Sequence, residues 1–379
     1  MSTASTTITV SGARRPVTLA DVARACELSK ATVSEALNAS DALCRVNRET
    51  RQRVREMALQ LKYSPNWRAK SLSNGRTQSI GLLYPGTLPL LRGMYEQVLN
   101  CFAETIGISG YHLVFIPLRK EAADGHAATL NGRVDGCVVA GHLPEFLENV
   151  VEQAGLPTVI LNARSRLHVP QVQLDDLNGS DTLTRHLLGL GHRQITFLFK
   201  PHTEPHCSKV DRVAGYERAM RETGCGQFIR VLESGPEEFA AAIAEGRERA
   251  TGVIVYGSDI ATELLQSFWR RNIQVPGDVS VATFGDVFPA AMTIPPLTVM
   301  TLAPEELGRL GARLLLDRLE GQAAAQPEMI ALKEHIIVRG STAAPREGRR
   351  SEAGEDAALY IVRASTAAPR QRQSCGSSL

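Results

Sequence analysis

The side chains in this sequence that could do chemistry do not assemble into a catalytic set. No G-x-S-x-G, P-loop or H-E-x-x-H pattern occurs along the 379 residues. HTEPHC (202–207) gathers two histidines and a cysteine in a loop, but no fourth ligand accompanies them, so neither a metal nor a cofactor is expected. GLGHRQ (189–194) opens like a phosphate-binding glycine motif, yet it lacks the third glycine and follows a helical stretch. Gly191 is expected to be a helix C-cap. The group that asks for a partner is Lys30-Ala31-Thr32-Val33-Ser34-Glu35, a base and small residues ending in an acid. So bare a helix face lets its backbone approach another molecule closely. In a DNA major groove, Lys30 could donate to guanine O6 or N7, and Ala31 could offer only a methyl contact, for example to thymine. Thr32 and Ser34 could donate hydroxyls to phosphates, the plainer alternative being that they are merely exposed. Glu35, at i+4 from Ala31, shares that face. Phosphates repel it, so it either accepts from cytosine N4 or turns aside to a basic neighbour such as Arg48.

These residues sit among three short helical patterns. Leu19, Val22, Ala23 and Cys26 mark one face of the first, with Thr18 as N-cap and Asp21 three residues on. Ser29 caps the second, where Val33 and Leu37 point the same way; Val54, Ala58 and Leu61 stripe the third, which begins near Arg48. The turn at Glu27-Leu28 is so short that the first two must pack as a helix-turn-helix. YSPNWRAKSLSNGRTQ (63–78) follows, bracketed by Pro65 and Gly75, a linker whose short helix is marginal alone.

From Ser79 the pattern changes to strand-like runs: SIGLLY, HLVFIP, GCVVAG, TVILN, QITFLF, GVIVYG, VSVATF and LTVMT. Helix-length stretches lie between most of them, at 93–106, 178–190, 209–223, 260–272 and 304–320. This alternation predicts α/β architecture, parallel sheets with helices on both faces, and enough chain for two lobes with a ligand cleft between them. Near the end, IVRGSTAAPR (337–346) returns as IVRASTAAPR (361–370), identical at nine of ten positions. The first copy is read as the last strand of the body, the second as part of a disordered or weakly docked tail.

Composition sets the bounds. Residues 1–78 hold 13 Lys+Arg against 6 Asp+Glu, and the remainder 29 against 34, so a basic head of balance +7 precedes an acidic body. That asymmetry suggests a polyanion partner for the head alone. The seven scattered cysteines never form C-x-x-C, no apolar run reaches membrane-spanning length, and the N-terminus lacks a signal-peptide core. A cytoplasmic chain is expected, with no membrane association.

Taken in order, TLADVARACELSKATVSEALN, TRQRV, LKYSPNWRAKSL, DDLNGSDTLTRHLLGLGHRQITFL, DRVAGYERAM, NIQVPGDVSVATFGD and PPLTV resemble the lactose-repressor/galactose-repressor (LacI/GalR) family of transcription regulators, from about Thr18 to Ala344. The resemblance implies an all-α helix-turn-helix head and hinge helix joined to a two-lobed body like periplasmic sugar-binding proteins. The expected division is a disordered tail (1–17), DNA-binding domain (18–65), hinge and linker (66–78), first lobe (79–163 and 296–323), second lobe (164–295 and 324–342) and tail (343–379). The expected function is a ligand-responsive regulator, a repressor of carbohydrate-related genes, binding a palindromic DNA operator as a homodimer with a small-molecule effector in the cleft. A solute-binding protein and an α/β enzyme acting on a sugar-like ligand stand as the alternatives.

The resemblance assigns DNA contacts to Thr18, Lys30, Ala31, Thr32, Ser34, Glu35, Tyr63, Asn66, Ala69 and Leu72. Leu72 is the wedge that would unstack a base step in the minor groove. Glu35 departs from the family, which most often has arginine there. In the body, Arg212 matches the cleft arginine that meets ligand hydroxyls or carboxylates, and Ser258, Asp259 and Asp286 complete the implied effector site. Ser258 and Gly285 stand where the family usually carries asparagine and aspartate, so an acidic or phosphorylated sugar is expected in preference to a neutral hexose.

Overall fold

The computed structural model describes residues 15, 17–38, 45–64, 75–86, 93–201, 206–322 and 329–346. Thr18 starts the first helix: its backbone N–H and its hydroxyl both donate to the Asp21 carboxylate, at 2.9 and 2.7 Å, closing the turn before α1 (Leu19–Cys26). Glu27 ends α1 at φ 54°. Ser29 then accepts from the Thr32 N–H at 3.1 Å and opens α2 (Lys30–Asn38). Asn47 does the same for α3 (Arg48–Gln60), accepting from the Thr50 N–H at 2.8 Å. The three apolar stripes meet as one small core of Val22, Ala23, Cys26, Val33, Ala36, Val54 and Ala58. Arg53 of α3 donates to the Cys26 carbonyl at 2.8 Å, satisfying a group that the end of α1 leaves open.

The body runs β1 (Ser79–Pro85), α4 (Met94–Ile108), β2 (His112–Leu118), α5 (Ala123–Leu130), β3 (Gly136–Ala140), α6 (Glu145–Ala154), β4 (Thr158–Leu161), β5 (Gln171–Leu174), α7 (Asp176–Gly189), β6 (Ile195–Phe199), α8 (Cys207–Glu222), β7 (Arg230–Glu233), α9 (Pro236–Ala244), β8 (Gly252–Val255), α10 (Ser258–Arg270), β9 (Ser280–Phe284), β10 (Thr298–Met300), α11 (Pro304–Leu319), β11 (Met329–Leu332) and β12 (Ile336–Ile337). It forms two six-stranded sheets, ordered β11-β5-β4-β3-β1-β2 and β12-β10-β9-β8-β6-β7. Only β12 on β10 is antiparallel among the described pairs. The strands read as apolar runs lie mostly in the sheet interiors, where both faces are covered.

The lobes divide differently from the boundaries expected. Gln171–Leu174 and Met329–Leu332 pair in the first sheet, and Thr298–Met300 in the second. The chain therefore crosses between lobes at 175–176, 301–303 and 333–335. Strand pairing sets these points, and short strands such as QVQL carry no apolar run to announce them. The tail also begins later than position 343: Ala343 accepts at its carbonyl from the Ser280 hydroxyl at 3.1 Å, and Arg346 pairs with Asp278. Gly191 caps α7 as expected. At φ 103° it lets its own N–H reach Leu188 O and that of His192 reach Leu187 O, the paired bonds of a Schellman turn. No helix among the described residues is long and apolar enough to cross a membrane.

Candidate functional site

In the head, capping at Ser29 fixes where α2 begins, and therefore which residues lead it. Lys30 and Ala31 are exposed, Thr32, Ser34 and Glu35 are half-buried, and Val33 and Ala36 turn inward to the core. The Thr32 hydroxyl lies 2.8 Å from that of Ser29, and Thr18 is tied to Asp21, whose carboxyl is held below its usual range by those hydrogen bonds. Glu35 accepts from the Arg45 backbone N–H at 2.7 Å. Its acid thus fastens the loop before α3, a partner that sequence spacing did not suggest because the bond spans ten positions. Tyr63 packs against the head core. Asn66, Ala69 and Leu72 lie outside the described residues.

In the body, the carboxyl ends of the two sheets face each other. Asn162, just after β4, is the hub: its side-chain amide donates to the Tyr95 hydroxyl at 2.9 Å, and its carbonyl accepts from His206 Nε2 at 2.7 Å, across the lobes. His206 Nδ1 accepts from the Ser208 N–H and caps α8. That fixes the neutral tautomer with the proton on Nε2, and burial lowers the imidazole pKa in agreement. The Ser208 hydroxyl meets the Tyr256 hydroxyl at 2.7 Å. A second bridge joins Arg164 of the first lobe to both oxygens of Asp211 on α8, at 2.8 and 2.6 Å.

Arg212 lies beneath this wall rather than on it. Its Nε donates to Asp176 at 2.6 Å and its Nη1 to Tyr256 O at 2.8 Å, while the guanidinium stacks 4.1 Å from the centroid of Phe284. Only 6% of the residue is exposed, so Asp176 meets its charge from within. The other three residues expected at the effector site are placed differently from one another. Ser258 is buried at the first position of α10, beside Gly285; Asp259 is exposed; and both carboxylate oxygens of Asp286 are taken by Arg339, at 2.8 Å each. Asp286 therefore anchors the segment that carries Arg339.

The third crossover adds an acid to this floor. Both oxygens of Glu334 are buried without a hydrogen-bond partner. They rest against the first turn of α7, where a Cβ at Gly179 would coincide with the carboxylate. Burial and then the Asp176 charge push this carboxyl up to about 8, against the pull of Arg212. Sequence reasoning missed Tyr95, Asn162, Ser208, Tyr256 and Glu334, and considered His206 only as a metal ligand. Asn162 and Tyr256 directly follow recognised strands, and that position was the available signal. A concavity of about 650 Å³ lined by Gly155, Pro157, Thr158, Arg166, His168 and Arg318 opens at the other, amino end of β4, away from the cleft. No cluster fit to hold a metal occurs among the described residues.

A capped, basic helix-turn-helix ahead of two facing parallel lobes defines a DNA-binding regulator with a periplasmic-binding-protein-like body. Residues 18–66 match the model of bacterial regulatory proteins of the lacI family, and residues 184–342 that of the periplasmic binding protein-like domain. The chain is 28% identical to the HTH-type transcriptional regulator RegA of Clostridium saccharobutylicum, over 85% of its own length and 98% of the relative's. It is 29% identical to the regulator CelR of Thermobifida fusca, over 86% and 99%. A solved CelR–cellobiose complex superposes with a TM-score of 0.62 at 25% identity, covering 86% of this chain and all of that one. A lac repressor dimer bound to operator and an anti-inducer shares the fold, with a TM-score of 0.76 at 24% identity over 87% of this chain and all of the other. The chain belongs to the LacI family of transcriptional regulators.

Proposed function

We infer that this regulator represses its genes by binding a near-palindromic operator as a homodimer, with α2 in the major groove and release controlled by a small molecule between the lobes. The observation that carries the DNA reading is the Ser29-capped helix that presents Lys30 and Ala31 outward from a head of balance +7. Leu72, in the hinge segment outside the described residues, is assigned the minor-groove wedge. A genome-wide footprint tests the reading: symmetric sites are expected, and Leu72→Ala should weaken binding to them while sparing non-specific DNA. Asymmetric, single-head footprints would refute the dimer.

The effector is read as a carbohydrate-like molecule that replaces the cross-lobe Asn162–His206 bond and engages the Ser208 and Tyr256 hydroxyls. Arg212 and Arg164 already have carboxylate partners, so the sequence-based preference for an anionic ligand loses its support. A polyhydroxylated neutral ligand suits the remaining amide and hydroxyls, and CelR, a relative, has been captured with cellobiose. In a thermal-shift panel, neutral oligosaccharides should outperform sugar phosphates; the reverse ranking would overturn this. Acting on DNA places the chain in the cytoplasm. The relatives are regulators, which supports binding without turnover, and product formation from any stabilising ligand would contradict it.

A further inference from the structure

We propose that residues 361–370 are a second occupant for the slot now held by 337–346, and that exchanging them replaces Glu334 at the lobe crossover by Ala358. The slot is built from specific contacts. Ile337 pairs with Val299, Arg339 clasps Asp286, and the Ser341 hydroxyl, fully buried, donates to Val281 O at 2.6 Å and accepts from the Thr298 N–H at 2.8 Å. Thr342 meets the Thr298 hydroxyl at 3.0 Å, Ala343 is held by Ser280, and Arg346 reaches Asp278 at 3.1 Å. Every one of these groups recurs in order 24 positions later, as Ile361, Arg363, Ser365, Thr366, Ala367 and Arg370. The single difference is Gly340 against Ala364. A Cβ at Gly340 would meet only Pro295 and Pro296, at 3.5 Å each, which is ordinary van der Waals contact. The second copy therefore carries the recognition pattern of 337–346, with Tyr360 ahead of it in the register of Ile336, which pairs with Met300 and packs against the core.

What differs is the approach to the slot. In the same register, Ala357-Ala358-Leu359 stands where Lys333-Glu334-His335 now makes the third crossover. The buried carboxylate without a partner would leave the Asp176–Arg212 floor and be succeeded by a methyl group. The connection from Leu332 would lengthen by 24 residues, at an entropic cost that grows only with the logarithm of its length. The first copy holds the slot through its short tether, and the second gains by relieving Glu334. Exchange would slacken one of the three links between the lobes, whatever the effector is.

Cysteine pairs in the full chain test this. The Thr298 and Thr342 hydroxyls are 3.0 Å apart, so cysteines at those positions are within disulfide reach. Thr298→Cys with Thr342→Cys should link nearly completely, showing that the variant folds. Thr298→Cys with Thr366→Cys should yield a linked 298–366 peptide within monomers, by mass spectrometry after mild oxidation. Adding Arg339→Ala, which weakens only the first copy, should raise that yield about tenfold. Thr298→Cys alone, which can pair only with native thiols such as Cys375, sets the background. A 298–366 yield at that background in the Arg339→Ala chain overturns the proposal, and so does linkage found only in covalent dimers.

Discussion

Glu334→Gln should make the body more stable at pH 8 and leave it almost unchanged at pH 5. The folded chain holds this carboxyl up to about 8, above its ordinary value of 4.5, because burial and Asp176 disfavour its charge. The unfolded chain releases the proton near 4.5, so above that pH folding must take a proton up. The group's contribution is therefore fully present below about pH 4.5 and is lost as pH rises towards 8, beyond which nothing further changes. At about 1.4 kcal/mol per pH unit, less where the slope tapers near each pKa, the window from pH 5 to 8 amounts to about 3–4 kcal/mol. Glutamine keeps the shape and has no proton to release. The stability difference between the variant and the wild-type chain should then open from near zero at pH 5 to about 3–4 kcal/mol at pH 8, visible as a Tm difference on the order of 5–10 °C. Subtracting the two chains cancels the titration of shared acids such as Asp181, whose carboxyl is held low by Arg185 and Arg218 and which acts in the opposite sense. Parallel melting curves for the two chains across pH 5–8 would refute a buried, protonated Glu334.

Arg212→Ala removes the partner of a buried carboxylate next to Glu334 and should cost about 3–5 kcal/mol even without ligand, measured by urea denaturation. A melting temperature equal to wild type would restore Arg212 as a purely ligand-facing group. Glu35→Gln keeps an acceptor for the Arg45 N–H but removes a negative charge facing phosphates, so it should tighten binding to all sequences alike. A base-selection profile relaxed at one symmetric position would show instead that Glu35 reads a cytosine. Operator binding should fall with salt at a log–log slope on the order of −5 to −10 per dimer; an affinity flat with salt in gel-shift titrations would remove the basic head from the interface.

Much of this protein is decided locally, and those parts were legible in the sequence. The Thr18–Asp21 and Ser29 caps, the small stripe that becomes the head core, the apolar central strands and the Schellman turn at Gly191 all depend on residues within a few positions of one another. Residue types and spacing are sufficient there because helix ends, turns and buried strands each have few chemical solutions. Only the tertiary structure decided which strand joined which lobe. It also decided that Asp286 belongs to Arg339, 53 positions away, that Arg212 is met by Asp176, and that Glu334 is buried against Gly179. Those outcomes depend on which distant charges burial brings together, and burial exists only once two sheets and three crossovers have closed on each other.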